Sequence, residues 1–140
     1  MPKPDPALLS PARYPYSCQI ETRFGDQDVN RHINNVAIAA YLEDARVRFY
    51  HANGFRQHVA KLRVMIVSIA IEYLGEAHYP GTIIVDCAVE AVGNSSLTLV
   101  HLVRQGDTLV AFSRCVMVAV DDAGKVSRVP DVLKDWMIRP

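Results

Sequence analysis

The residues best suited to chemistry lie in a short polar stretch directly ahead of a strongly apolar one. The polar stretch, "GDQDVNRHINN" (25–35), carries carboxylate, imidazole and amide groups at Asp26, Asp28, Asn30, His32, Asn34 and Asn35. The seven residues that follow, 36–42, are all apolar. Because asparagine is a favoured helix N-cap, this change of composition predicts a helix that begins at Asn34. The polar stretch therefore either only starts the helix or forms a site.

A carboxylate beside the first turn of a helix has the chemistry to break an activated acyl bond. The first turn offers free N–H groups and a positive dipole end, which can polarise a carbonyl oxygen as it becomes an oxyanion. The carboxylate can activate water or attack the carbonyl itself. The stretch has no evident acid for a poor leaving group, but a thiolate needs none, since thiols ionise near pKa ~8.5. The residue types favour thioester hydrolysis, although they also allow other activated acyl compounds.

Helix capping alone accounts for only part of this stretch. Asn34 can cap the helix, and one upstream carboxylate can favour its positive end. Capping leaves the remaining polar groups unexplained, and these are Asp28, Asn30, His32 and Asn35. We therefore favour a catalytic site built on a carboxylate.

A metal site fits the residues less well. The spacing D-x-D-x-N at 26–30 resembles the start of an EF-hand calcium loop. Arg31 stands where that loop needs glycine, and Ala37 stands where it needs glutamate. His32 with Asp26 or Asp28 gives two or three transition-metal ligands, and the next histidines lie at or beyond the far end of the predicted helix. We predict no metal and no cofactor.

Nucleophilic catalysis by serine or cysteine has little support. The sequence has no G-x-S-x-G motif. Its three cysteines, Cys18, Cys87 and Cys115, form neither a CxxC pair nor a zinc pattern. Cys87 and Cys115 lie inside predicted strands, where packing explains them. We expect reduced thiols in a cytoplasmic protein.

The elements that must position the polar stretch are one strand before it, the helix after it, and four strands beyond. The predicted elements are a strand at 16–24, a helix from 34 to 53 ended by Gly54, strands at 64–74, 82–92, 95–105 and 108–120, and a short helix at 130–137. Tight turns at 93–94 and 106–107 predict hairpins between the later strands, which makes the sheet antiparallel. The fold class is α+β, with about five strands wrapped around one long helix that is apolar on every face.

Composition limits the partners. Residues 1–15 carry five prolines and predict an extended arm, which leaves residues 16–140 as a single domain. The formal net charge is zero, which argues against a nucleic-acid binder. No apolar run is long enough to span a membrane. The strands at 64–74 and 108–120 are apolar on both faces, so we expect a homodimer or homotetramer that covers the second face.

The sequence resembles a known family at "RFGDQDVNRHINNVAIAAYLEDAR" (23–46). This stretch is similar to the signature of hotdog-fold acyl thioesterases of the 4-hydroxybenzoyl-CoA thioesterase type. It is also similar to the D-x-N-x-H-x-N-N stretch of plant acyl-acyl-carrier-protein thioesterases. The resemblance implies a hotdog fold, paired subunits, and sites at the subunit interface. Arg31 departs from a frequent glycine in the family, and Ile38 from a frequent aromatic residue.

The resemblance also implies roles for single residues. Asp28 matches the catalytic carboxylate, and Asn30 and His32 match its polar partners. Asn35 matches the position whose backbone N–H polarises the thioester carbonyl. Glu43 matches an acidic position within the helix.

The substrate of such an enzyme would be an acyl-CoA or an acyl-carrier protein, both of which are anionic. Five basic residues with no acid among them follow the middle of the predicted helix, at Arg46, Arg48, Arg56, Lys61 and Arg63. Either Arg46 and Arg48 favour the C-terminal half of the helix and the others are solvated, or the group binds the phosphates of coenzyme A or an acidic carrier protein. Tyr41 either lines an acyl pocket or packs in the core. Two other functions stay open, a non-catalytic acyl-CoA-binding module and a hotdog dehydratase or hydratase.

Overall fold

The computed structural model describes residues 4–58, 62–129 and 133–140, and within them it confirms the predicted order of elements. The strands and helices are β1 (Tyr16–Glu21), α1 (Asn35–Asn53), α2 (Phe55–His58), β2 (Arg63–Tyr73), β3 (Thr82–Val92), β4 (Ser96–Gln105), β5 (Thr108–Val120) and β6 (Val126–Ser127). Short 3-10 helices cover Pro6–Leu9, Pro11–Arg13, Phe24–Asp26 and Lys134–Trp136.

The strands form one antiparallel sheet in the order β1-β3-β4-β5-β2, with β6 paired to the end of β5. The helix α1 packs against one face of this sheet, and the main apolar core lies between them. The predicted architecture, a sheet of about five strands wrapped around one long helix, is confirmed. The strands β1 and β2 form the two edges of the main sheet.

Local signals fix both ends of α1. The side chain of Asn34 accepts a hydrogen bond from the backbone N–H of Ala37 at 2.7 Å, as an N-cap does. Gly54 ends the helix with φ at +73°, a left-handed conformation that glycine adopts at little cost. Both ends therefore lie where the sequence predicts them.

The prediction that α1 is buried on every face is wrong. The buried residues recur at helical spacing along one face, and they are Ala37, Ile38, Tyr41, Leu42, Ala45, Arg46, Phe49 and Tyr50. Val36 is 73% exposed and Val47 is 41% exposed. The sheet covers only one side of the helix, and the apolar run continues onto the side that the sheet does not reach.

The prediction of an extended N-terminal arm is also wrong. The segment before β1 forms two 3-10 turns, and it folds back on the sheet face that α1 does not cover. Leu8 and Tyr14 are buried there against Leu102 and Phe112, and the Tyr14 hydroxyl donates to the Leu8 carbonyl at 2.7 Å. The prolines favour turns here, and burial of apolar surface holds the turns in place.

Of the C-terminal helix predicted over 130–137, residues 130–132 lie outside the described part of the chain, and residues 133–137 contain the 3-10 turn Lys134–Trp136. This turn places the Trp136 ring edge-on to the rings of Tyr16 and Phe49, with centroids 6.5 and 5.8 Å away. Leu133 is buried in the same core, and the N–H of Ile138 donates to the Val89 carbonyl at 2.8 Å, so apolar, aromatic and backbone contacts together attach this segment.

The two strands predicted to be apolar on both faces have different environments. Most of β5 is buried, because the N-terminal segment supplies the second cover. By contrast, β2 is exposed along most of its length. Its exposed large apolar side chains are Met65, Ile66, Val67, Ile69 and Tyr73. The uncovered apolar surface therefore lies on the edge strand β2.

The core between α1 and the sheet contains buried polar groups. His101 and Ser113 lie directly opposite each other on β4 and β5, and both are fully buried. Neither ring nitrogen of His101, nor the Ser113 hydroxyl, has a hydrogen-bond partner in the described structure. Burial, together with the nearby Arg46 guanidinium, lowers the pKa of His101 from 6.5 to about 3. His101 is therefore neutral in the folded protein at neutral pH.

This lowered pKa predicts a pH-dependent stability. Between about pH 6.5 and 3 the unfolded chain binds a proton at His101 and the folded chain does not. The free energy of unfolding should therefore fall by up to about 1.4 kcal/mol for each pH unit of acidification in this window. Urea unfolding from pH 6.5 to 5 checks this slope. His101→Leu should flatten it and the exposed-site control His51→Gln should keep it, whereas equal slopes in both variants would contradict the assignment.

Candidate active site

The polar stretch folds into a closed loop that leads into α1. Gln27 and Ile33 form an antiparallel bridge, the N–H of Asp28 donates to the carbonyl of His32 at 2.8 Å, and the N–H of Asn34 donates to the carbonyl of Asp26 at 2.9 Å. The N–H of Ile33 donates to the Ala77 carbonyl at 2.8 Å. The loop is therefore attached to the segment that follows β2.

Asp28 is the exposed carboxylate of this loop. One of its oxygens, Oδ1, accepts hydrogen bonds from the backbone N–H groups of Asn30 at 2.9 Å and His32 at 3.1 Å. Within the described residues, no group donates to its second oxygen, Oδ2. The carboxylate is thus held in one orientation while one oxygen stays open to solvent, as a general base or nucleophile requires.

Arg31 lies in this loop with φ at +63°, in the left-handed region that side chains other than glycine rarely adopt. A β-carbon in this conformation costs roughly 1–2 kcal/mol. This backbone geometry gives a physical reason for the glycine that resembling sequences often carry at this position.

Arg31→Gly is therefore expected to raise the free energy of unfolding by about 1 kcal/mol, since glycine relieves the strain but gains backbone freedom when unfolded. Arg31→Ala is the matched control, because alanine also removes the charged side chain but keeps the β-carbon. Urea denaturation of the three proteins measures the difference. Equal stabilisation by glycine and alanine would show that the side chain, and not the backbone, is responsible.

His32 pairs with residues that the sequence does not place near it. Its Nε2 lies 3.2 Å from Oε2 of Glu76, and its ring stands edge-on to that of His78 with centroids 5.2 Å apart. Potential ligand atoms of these three residues all lie within 4.8 Å of one another, so they could hold a divalent cation. The two new partners follow β2, more than forty positions along the chain, and no local spacing signals their approach.

Asp26 has a different environment from Asp28. It is 5% exposed, and it accepts hydrogen bonds from the Tyr41 hydroxyl at 2.5 Å and from the backbone N–H of Arg23 at 2.9 Å. Burial alone would raise the pKa of Asp26, but these bonds and the Arg23 guanidinium outweigh it and hold that pKa below 3.8. Burial and the Asp26 carboxylate in turn raise the pKa of Tyr41. Asp26 therefore anchors the start of α1 to the core.

A cavity of about 510 Å³ beside the first turn of α1 is lined by Asp26, Asn34 and Tyr41. Its best-placed polar groups are already committed, because Asp26 bonds Tyr41 and Asn34 caps the helix. Tyr41, which the sequence predicts to contact substrate, is only 6% exposed, and its hydroxyl is already bonded to Asp26.

The first turn of α1 leaves donors free beside the loop. Asn35 is the exposed first residue of the helix, and Val36 follows it. Across residues 4–58, 62–129 and 133–140, no acceptor bonds the backbone N–H of either residue. These N–H groups and the positive helix end can polarise a carbonyl oxygen.

A larger cavity, of about 520 Å³, lies between α1, α2 and the first half of β2. Its apolar walls include Val47, Tyr50, Phe55, Leu62, Val64 and Met117. Four charged residues also line it, namely Glu43, Arg46, Arg56 and Arg63. The structure thus brings together three of the predicted substrate-binding residues, Glu43, Arg56 and Arg63, while Lys61 lies outside the described residues.

Of the five predicted basic residues, Arg46 is not solvated, whereas Arg48 is exposed but already paired with a carboxylate. Arg46 is buried at 5% exposure, because it lies on the same face of α1 as Leu42 and Phe49. Arg48 forms an ion pair with Asp44, with Nε 2.9 Å from Oδ1.

Cys87 and Cys115 are packing residues, as predicted, and Cys18 has the same character. Cys18, Cys87 and Cys115 are buried, and none forms a disulfide. Burial raises the pKa of each thiol, which keeps it protonated and unreactive.

Comparison with known proteins identifies the family. Residues 22–137 match the model of the thioesterase-like superfamily. The chain belongs to this superfamily. Membership supports thioester hydrolysis as the general class of reaction, and the observed sheet and helix are those of its hotdog fold. No described helix of this superfamily member is long and apolar enough to span a membrane.

Individual relatives are distant. The superfamily member is 25% identical to the uncharacterized protein YsmA of Bacillus subtilis (strain 168), over 86% of this chain and 83% of YsmA. It is 28% identical to the PA2801 protein of Pseudomonas aeruginosa, with a TM-score of 0.74 over 82% of this chain and 92% of that one. A thioesterase superfamily protein from Jannaschia sp. CCS1 shares 20% identity, with a TM-score of 0.81 over 96% and 92% of the two chains, and shows the fold alone.

Proposed function

We propose that this protein hydrolyses acyl thioesters of coenzyme A or of an acyl-carrier protein, with Asp28 as general base or nucleophile. The observation that carries the proposal is the geometry of Asp28. One oxygen is fixed by two backbone N–H groups and the other accepts no hydrogen bond from the described residues, and the loop that holds them leads directly into the first turn of α1, where the N–H groups are free. Asp26, two residues away, is 5% exposed and already accepts hydrogen bonds on both oxygens, so it is less suited to this role.

The proposed reaction follows from these groups. The thioester carbonyl oxygen accepts hydrogen bonds from the N–H groups of Asn35 and Val36, which stabilise the developing oxyanion. Asp28 takes a proton from water that attacks the carbonyl, or attacks the carbonyl directly. The tetrahedral intermediate expels a thiolate, which needs no general acid. The backbone of Asn30 and His32 holds Asp28, and the His32 imidazole, paired with Glu76, borders the site.

We also propose that two copies pair through β2. This edge strand carries a row of exposed apolar side chains and an unpaired backbone edge, which favour pairing with another strand. The 520 Å³ cavity adjoins the start of β2, and the loop of Asp28 is attached just after its end. An antiparallel pairing about a two-fold axis would bring the cavity of one copy next to the Asp28 loop of the other.

In this arrangement the acyl group occupies the cavity, and the thiol-bearing part of the substrate extends across the cavity rim. Arg56 and Arg63 are exposed on that rim, and Lys61 lies between them in the sequence. They would attract the phosphates of coenzyme A or an acidic carrier protein. Both partners are anionic, so the rim favours neither.

The proposal is tested by thiol release from a panel of straight-chain and aromatic acyl-CoAs with a chelator present. We expect hydrolysis of at least one member, because Asp28 acts without the cation that His32, Glu76 and His78 could hold. Activity that is lost on chelation and restored by a divalent metal would show instead that this cluster is part of the reaction.

A further inference from the structure

We propose that the 520 Å³ cavity selects acyl groups that end in a carboxylate, and that Arg46 binds this carboxylate. The inference rests on the proposed function, since it names the acyl class for the same site. The cavity walls are mainly apolar, as an acyl chain needs, but Arg46, a buried charged residue, interrupts them. A purely hydrocarbon chain would leave that cation without a partner.

Arg46 is unusual among the arginines of this chain. Arg23, Arg48, Arg104 and Arg114 each pair with a carboxylate. Arg46 is more deeply buried than these, and its Nη1 has no hydrogen-bond partner in the described structure. Burying a charge without a partner is strongly unfavourable, so an anion is expected to fill this position in the functional state.

The surroundings of Arg46 supply no such anion. His101 and Ser113, which also lack partners, are neutral groups on the sheet beneath the helix. The buried carboxylate of Asp86 is already paired with Arg104 at 2.9 Å and accepts a hydrogen bond from Ser17. Of the residues the structure describes, only Glu43 adds a negative charge to the cavity wall, and it is exposed and forms no ion pair with Arg46.

A carboxylate fits this site better than a phosphate. A guanidinium donates two parallel hydrogen bonds to a carboxylate, and the single buried charge of Arg46 balances one carboxylate charge. Phosphates carry more charge and hydration, and the exposed Arg56 and Arg63 at the rim suit them. The buried Arg46 therefore suits the carboxylate of an acyl group inside the cavity, and the exposed Arg56 and Arg63 suit the phosphates of a carrier outside it.

The test compares acyl-CoAs of equal chain length with and without a terminal carboxylate: adipyl-CoA against hexanoyl-CoA, and suberyl-CoA against octanoyl-CoA. Calorimetric titration of the Asp28→Asn protein measures binding without turnover. We expect at least one carboxylate-ended member to bind about 10- to 100-fold more tightly than its partner, as for a charge-assisted hydrogen bond. Arg46→Met should abolish this ratio, Arg46→Lys should keep part of it, and the rim control Arg56→Met should weaken both members equally.

A second readout keeps the test independent of folding defects. Without ligand, Arg46→Met should melt at the same or a higher temperature than the parent, because it removes an unpaired buried charge. A binding ratio near one in the parent protein, or a ratio that persists in Arg46→Met, would overturn the proposal. Because the ratio is measured by binding, it stands or falls separately from hydrolysis, whose absence would contradict only the proposed function.

Discussion

Asp28→Asn is expected to lower kcat for acyl-CoA hydrolysis by about 10²- to 10⁴-fold and to leave the melting temperature almost unchanged. Asparagine keeps the side-chain oxygen that accepts from the backbone of Asn30 and His32, so the loop keeps its shape. Its amide cannot take a proton from water or attack a carbonyl, and the loss corresponds to that of a general base. Initial rates and thermal unfolding of the same preparation measure both effects.

Asp26→Asn is the matched control, with the same change two residues away. An amide nitrogen there replaces either Oδ2, which accepts from the Tyr41 hydroxyl and the Arg23 backbone N–H, or Oδ1, which accepts from the Arg23 guanidinium, and a nitrogen cannot accept these hydrogen bonds. Losing a buried hydrogen bond to a charged group costs about 1.5–3 kcal/mol, so this variant should lose stability first. If Asp26→Asn folds normally and loses more kcat than Asp28→Asn, the catalytic carboxylate has been assigned to the wrong residue.

Val67→Asp is expected to weaken self-association by about 100-fold, or about 2.8 kcal/mol, and to lower activity per subunit accordingly. Val67 lies near the middle of β2, at its bulge, and is 58% exposed. In a two-fold edge pairing it lies close to its own copy, so two like charges would be buried together. Sedimentation velocity and activity over a dilution series follow the two effects.

Val126→Asp provides the control on another surface. Val126 is 55% exposed on β6, so it matches Val67 in type and exposure but lies outside the proposed interface. It should leave the sedimentation coefficient and the specific activity unchanged. A wild-type protein that sediments as a monomer at assay concentration and keeps full activity would disprove the shared site.

The sequence predicts the elements well because their signals are local. Asn34 and Gly54 mark the ends of α1, and β-branched runs between turn residues mark the later strands. The segments that cover each face of the sheet, by contrast, are set by contacts between residues far apart in the sequence. The N-terminal segment folds onto the sheet because Leu8 and Tyr14 meet strands far along the chain, and no spacing within the segment shows this.

The candidate site is also only partly predictable from the sequence. The polar stretch and its position before α1 are visible in the sequence, and the family resemblance singles out Asp28. Asp26 is buried and hydrogen-bonded on both oxygens, whereas Asp28 is exposed. This contrast depends on contacts with Tyr41 and Arg23 that only the folded chain provides. Glu76 and His78 join His32 only because the segment after β2 packs on the loop.

Arg46 is the exception, because a signal for its burial was present. It follows Leu42 by four residues and precedes Phe49 by three, which places it on the apolar face of the helix. A charged residue on an apolar helix face indicates either a buried ion pair or a ligand.

The central claim is that Asp28 promotes cleavage of a bound thioester, and mass analysis of the products tests it most directly. Wild-type protein and Asp28→Asn are incubated with the same acyl-CoA at concentrations that give equal occupancy. We expect equal amounts of free acid and free coenzyme A from the wild type, and intact bound thioester from Asp28→Asn. Intact thioester from both proteins, or an acyl chain that has gained or lost water while still joined to coenzyme A, would contradict it.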